Sequence, residues 1–195
     1  MKKFNFLKNI TLFLGLLILL VGCNNKGEKV SKVEPMKVDF ESKEYAGEGF
    51  TVNYPSSWEI TPNPLVPSQD MFVLDNQDKS SNFLGNVIIQ ISSDKPEVES
   101  VDEYVEEMKK FIESEESADS PLTEFVNVEK VTLSSGEVAK LEAVTTINDL
   151  KVKQIQFHVF NKDNLATITY SNLPQNFDVG IEATTYMADT FKFTK

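Results

Sequence analysis

The chain holds one histidine, His158, one cysteine, Cys23, and thirty carboxylates, and these bound the chemistry open to it. A Ser-His-Asp or Cys-His device needs its imidazole beside a nucleophile, and no Gly-x-Ser-x-Gly occurs. His158 sits in an alternating stretch with Ile155, Phe157 and Val159 on one side and Gln154, Gln156 and Phe160 on the other. That pattern predicts a hydrogen-bonded strand histidine. Zinc wants several Cys or His ligands, which one histidine does not supply. No Walker loop or Gly-x-Gly-x-x-Gly gives a nucleotide cofactor a seat, so neither cofactor nor metal is expected.

The carboxylates are the remaining chemistry. Asp102, Glu103, Glu106 and Glu107 share the polar side of a helical pattern, where Glu103 and Glu107 repel at i,i+4 and Glu106 is spaced to pair with Lys110. This is how a solvated helix face looks. Asp75, Asn76 and Asp78 lack the spacing, glycine and terminal Glu of an EF-hand loop. No catalytic residue is assigned, and the chain is not expected to be an enzyme.

Cys23 has a different context. Lys2, Lys3 and Lys8 precede an apolar run from Ile10 to Val21, broken only by Thr11 and Gly15, the charged and apolar regions of a secretory signal. Twelve helical residues reach about 18 Å, short of the roughly 30 Å hydrocarbon core. The run ends Leu20-Val21-Gly22-Cys23, which resembles the lipobox of bacterial lipoproteins. In that family the cysteine thiol is lipidated and the peptide bond before it is cut. Two acyl chains then hold the protein to the membrane. The alternative is a plain signal peptide cut near Gly22, leaving a free thiol.

Residues 1–22 are thus expected to be a lipoprotein signal peptide, and 23–39 a lipidated cysteine and flexible linker. Residues 40–195 form the domain. Of the 19 lysines the signal takes three and no acid, so 16 stand against 30 acids in the mature chain, a net charge of −14 without one arginine. Nucleic acid needs the opposite sign, and an anionic bilayer would repel the domain. The linker holds Lys, Glu and Pro35, and its sixteen residues from Asn24 give roughly 20 to 25 Å of root-mean-square reach.

Within the domain, Phe50, Val52 and Tyr54 alternate with polar residues up to Pro55 and predict a strand; Met71–Leu74 and Gly85–Ile91 predict two more. Val87, Ile88, Ile89 and Ile91 form a run expected to be covered on both faces. The turn-rich stretch Thr61–Gln69, with Pro62, Pro64 and Pro67, reads as a surface excursion. Ser100 and Glu103 form a capping box before Val101, Tyr104, Val105, Met108, Phe111 and Ile112, which predicts a helix. Four strands follow, at Phe125–Leu133, Glu137–Thr146, Lys151–Phe160 and Leu165–Ser171; their short connections permit only an antiparallel meander. A second helix is expected near Asp178–Asp189, with its start blurred by Gly180, and a short strand at Phe191–Thr194. The fold class is α+β, an antiparallel sheet with helices on its faces.

Gly49-Phe50-Thr51-Val52-Asn53-Tyr54-Pro55-Ser56-Ser57-Trp58 resembles the opening motif of PsbP-like domains, and the likeness extends through the Ser100-led helix and the meander to Thr190-Phe191-Lys192-Phe193. The resemblance implies an α/β/α sandwich around a mainly antiparallel sheet. It also implies a role in binding partner proteins rather than in catalysis. Tyr54 and Trp58 are candidates for ligand or partner contact, although an indole three residues after Pro55 also suits pinning the loop to the sheet edge.

The expected function is a membrane-anchored lipoprotein on the extracytoplasmic face, acting as a non-enzymatic interaction or ligand-binding module for an envelope protein or small ligand. The alternatives are an envelope hydrolase with a carboxylate site and the solute-binding component of a transporter.

Overall fold

A computed structural model describes residues 33–66, 69–75, 77, 81, 83–93, 97–114, 123–147 and 149–194, the side chain of Ile147 excepted. The signal segment, Cys23, residues 24–32, Asn76 and Asp78 lie outside the described residues. The elements run β1 (Ser42–Gly47), β2 (Phe50–Pro55), β3 (Glu59–Pro62), β4 (Asp70–Val73), β5 (Asn86–Ser92), α1 (Val101–Ile112), β6 (Thr123–Leu133), β7 (Gly136–Ile147), β8 (Leu150–Phe160) and β9 (Leu165–Asn172). A 3-10 segment (Pro174–Gly180), α2 (Ile181–Thr190) and β10 (Lys192–Phe193) complete the chain.

Short turns join β6 to β9, so these strands stack as antiparallel neighbours. They form one end of a seven-stranded sheet, in the order β3-β4-β5-β9-β8-β7-β6. A second sheet, β1-β2-β10, closes the other side of the core. The strand alternation sends Val87, Ile89, Val138, Ile155, Phe157, Ile168 and Tyr170 to one face. There they meet Phe50 and Val52 of the small sheet, Phe177 of the 3-10 segment, and Met187 and Ala188 of α2. The opposite face is covered over β6 and β7 by α1, whose Tyr104 and Val105 pack on Val128, Ala139 and Leu141. Helices therefore lie on both faces of a mainly antiparallel sheet, and the α+β sandwich is what the chain builds.

Helix α1 starts where its capping pattern places it. Ser100 Oγ accepts the Glu103 N–H at 3.2 Å, while the Glu103 carboxylate reaches back to the Glu99 N–H at 2.8 Å rather than to that of Ser100. On its polar face Glu106 pairs with Lys109 at 2.9 Å, not with Lys110 as its spacing suggested.

Four further readings are corrected. β1 was not anticipated, because Ser42–Gly47 has no apolar alternation and is held by its pairing with β2. β3 lies partly inside the stretch read as an excursion, and its Ile60 is exposed. The β5 run is not equally covered on its two faces: Val87 and Ile89 are buried but Ile88 is half-buried and Gln90 exposed, because α1 sits over β6 and β7. The second helix begins at Ile181, after the 3-10 segment. Gly180 caps it, and a Cβ there would stand 2.5 Å from Cζ of Tyr170. Gly180 thus serves close approach, not helix propensity.

Candidate functional site

His158 is on β8, directly opposite Ala139 of β7 and Thr167 of β9. Tyr104 reaches down from α1 and its hydroxyl lies 2.7 Å from His158 Nδ1; His158 Nε2 lies 3.1 Å from Gln156 Oε1. An amide oxygen only accepts, so Nε2 carries the proton and Nδ1 accepts from the phenol. Burial lowers the His158 pKa from 6.5 to about 4. Burial, with the charge of Glu107 adding to it, raises that of the Tyr104 phenol. The neutral imidazole is bonded at both nitrogens and 8% exposed. It fastens α1 to the sheet.

The same face continues as a polar row across four strands. Thr123 and Thr145 hydroxyls are 3.3 Å apart, Thr145 donates to Gln154 Oε1 at 3.2 Å, and Gln154 Nε2 donates to Ser171 Oγ at 3.0 Å. These groups satisfy one another and carry no charge. Among the described residues no group of three or more His, Cys, Asp or Glu converges to hold a metal.

Of the two residues singled out for contact, Trp58 is buried in the main core, with its backbone N–H on the Pro55 carbonyl at 3.0 Å. Its indole pins the turn. Tyr54 is half-buried and its ring centroid is 5.2 Å from that of Phe72. The PsbP-like opening motif is therefore turned inward.

One surface that faces outward is formed by Pro62–Val66 and Gln69. Asn63 is buried and organises it. Its backbone N–H bonds the Gln69 carbonyl at 2.7 Å, its Nδ2 bonds Gln69 Oε1 at 3.0 Å, and its Oδ1 takes the Leu65 N–H at 2.9 Å. The Val66 N–H bonds the Asn63 carbonyl at 3.2 Å, and Gln69 Nε2 ties the loop to the Ile89 carbonyl at 3.2 Å. All of this bonding holds up an apolar tip. Leu65 is 88% exposed and Val66 47%, beside the exposed Ile60 and Pro64. No lysine lies between Ser56 and Gln77. The sequence signal was present, since Leu65 and Val66 are apolar residues between prolines, yet reading the stretch only as an excursion passed over them.

Asp189, also unmarked by sequence reasoning, is buried near the end of α2, and its carboxylate accepts three hydrogen bonds. They come from the Met36 N–H at 2.9 Å, the Ser134 N–H at 2.6 Å and the Ser134 hydroxyl at 2.8 Å.

The fold has known counterparts. Cyanobacterial PsbP (CyanoP) from Synechocystis superposes with a TM-score of 0.53 at 14% identity, over 85% of this chain and 99% of that one. LpqN of Mycobacterium tuberculosis, involved in cell envelope biogenesis, superposes with a TM-score of 0.51 at 11% identity, over 81% of this chain and 93% of its own. A Pseudomonas aeruginosa protein of unknown function gives 0.50 at 11% identity, over 79% and 98%. No family model matches the sequence, and no curated protein matches it. At these identities the likeness is one of fold, and the fold is PsbP-like.

Proposed function

We propose that this chain is a lipoprotein tethered through Cys23 on the extracytoplasmic face of a membrane, where its PsbP-like domain works as a non-enzymatic binding module. The observation that carries the reading is the Leu65–Val66 tip. Leu65 and Val66, held in solvent side by side by a hydrogen-bonded loop and next to exposed Pro64, offer an apolar surface for contact. The lipobox-like Leu20-Val21-Gly22-Cys23 supports the tether. Among the described residues no helix is long and apolar enough to cross a membrane, and a neighbour in fold belongs to envelope biogenesis. The stretch from Ser57 to Asn76 carries Glu59, Asp70 and Asp75 and no lysine, which favours a protein socket over anionic lipid.

A photoreactive amino acid at position 65, activated in native membranes, tests this. The expected result is one recurring protein adduct that disappears when the probe is moved to the exposed, polar position Asp163 in the turn between β8 and β9. Adducts to lipid alone, or the same adducts from both positions, would refute the protein-binding reading. Cys23→Ser tests the tether separately: the protein should leave the membrane fraction.

A further inference from the structure

The segment before β1 reads as tether by composition, yet the domain holds it. Met36 donates its N–H to Asp189 Oδ2 at 2.9 Å. The Phe40 ring meets Tyr186 of α2 edge-on, with centroids 5.4 Å apart. Ser42 Oγ lies 3.1 Å from the Tyr186 hydroxyl, and the Glu41 carbonyl accepts the Ser56 N–H at 2.8 Å. Between these points Lys37 and Asp39 are exposed and Val38 is half-buried.

We infer that Met36–Glu41 is a releasable strap and that Asp189 is its clasp. Two features make it separable from the fold. No strap residue is fully buried, with Met36, Val38 and Phe40 half-buried and Lys37, Asp39 and Glu41 exposed, which places its opening toward the low end of local opening free energies. When it leaves, Asp189 keeps both of its bonds from Ser134, on Oδ1 at 2.6 Å and on Oδ2 at 2.8 Å, so release does not orphan a buried charge. Closed, the strap keeps Met36 to Glu41 on the domain; open, it adds these six residues to the proposed tether from Cys23. Six residues extend to about 20 Å, which lets the domain reach a target further from the membrane. This use of the strap rests on the proposed lipid tether; the strap itself does not.

Met36→Pro removes the donor and leaves Asp189 and Ser134 in place. Trypsin cleavage after Lys37, followed by mass spectrometry as appearance of a chain starting at Val38, reads strap opening. It should speed up about tenfold or more in Met36→Pro, as loss of a charge-assisted hydrogen bond implies. Lys43, inside β1, should stay uncut over the same time, and the thermal midpoint should barely move. The soluble Cys23→Ser chain should give the same acceleration, so the strap is judged apart from the anchor. In the lipidated protein on phosphatidylcholine vesicles, energy transfer from Trp58 to a dansyl-headgroup lipid should fall in Met36→Pro. Equal cleavage in both proteins, or cleavage that tracks global unfolding, overturns the strap. Faster cleavage with unchanged energy transfer in anchored protein overturns its role in tether length.

Discussion

Replacing His158 by glutamine should remove most of the domain's sensitivity to mild acid. The imidazole is buried between Tyr104 and Gln156, and burial lowers its pKa from 6.5 to about 4. A depressed folded-state pKa means that the unfolded chain binds the proton first. The neutral imidazole's contribution is therefore complete above pH 6.5 and is lost as pH falls from 6.5 toward 4. The full shift amounts to about 3 kcal/mol, and linkage puts about 2 kcal/mol of it between pH 7 and pH 5. His158 is the chain's only histidine, so no second imidazole confounds the difference. Glutamine keeps an acceptor for the Tyr104 hydroxyl but does not titrate. The phenol stays protonated throughout, because its pKa is raised. Urea unfolding of both proteins from pH 7 to pH 5 gives the two slopes. Wild type should lose about 2 kcal/mol more than His158→Gln over that range. Parallel slopes would show that the imidazole is open to solvent in the folded state and would refute the reasoning.

Gly85→Ala should destabilise by about 1 to 3 kcal/mol in urea unfolding. Its Cβ would stand 2.3 Å from Asn172 Nδ2, an amide held by the Tyr170 hydroxyl at 3.0 Å and the Asn176 carbonyl at 3.1 Å. Ser100→Ala should remove about 1 kcal/mol through loss of the α1 cap, visible as faster hydrogen exchange in its first turn. Leu65→Ser should leave stability within about 0.5 kcal/mol while abolishing the adduct of a photoreactive amino acid placed instead at Val66. Asn63→Ala should reduce both, because the buried amide makes the loop's internal bonds; its stability loss should be about 1 to 3 kcal/mol.

Sequence reading succeeded where the signal is local. Ser100 and Glu103 mark α1 because a cap acts within one turn. The meander follows from turns too short for any other connection. β1 and β3 were hidden for the opposite reason. Ser42–Gly47 and Glu59–Pro62 lie at sheet edges, where one partner strand suffices and no apolar alternation is demanded. His158 was legible as a strand histidine but not as the partner of Tyr104, 54 residues away.

The exposed loop and the Asp189 contacts were least legible, and their chemistry explains it. Asp189 acts through hydrogen bonds to residues 55 and 153 positions distant, two of them donated by backbone N–H groups that no side-chain pattern records. The Leu65 tip depends on Asn63 and Gln69 turning their hydrogen bonds inward, so the ordered loop shares its composition with an unordered one. In both cases a polar side chain is withdrawn from solvent to fix something else: an exposed leucine in the loop, the segment before β1 at α2. The buried polar groups of this domain thus fix an exposed loop and the segment before β1, and its histidine stays neutral and enclosed between Tyr104 and Gln156.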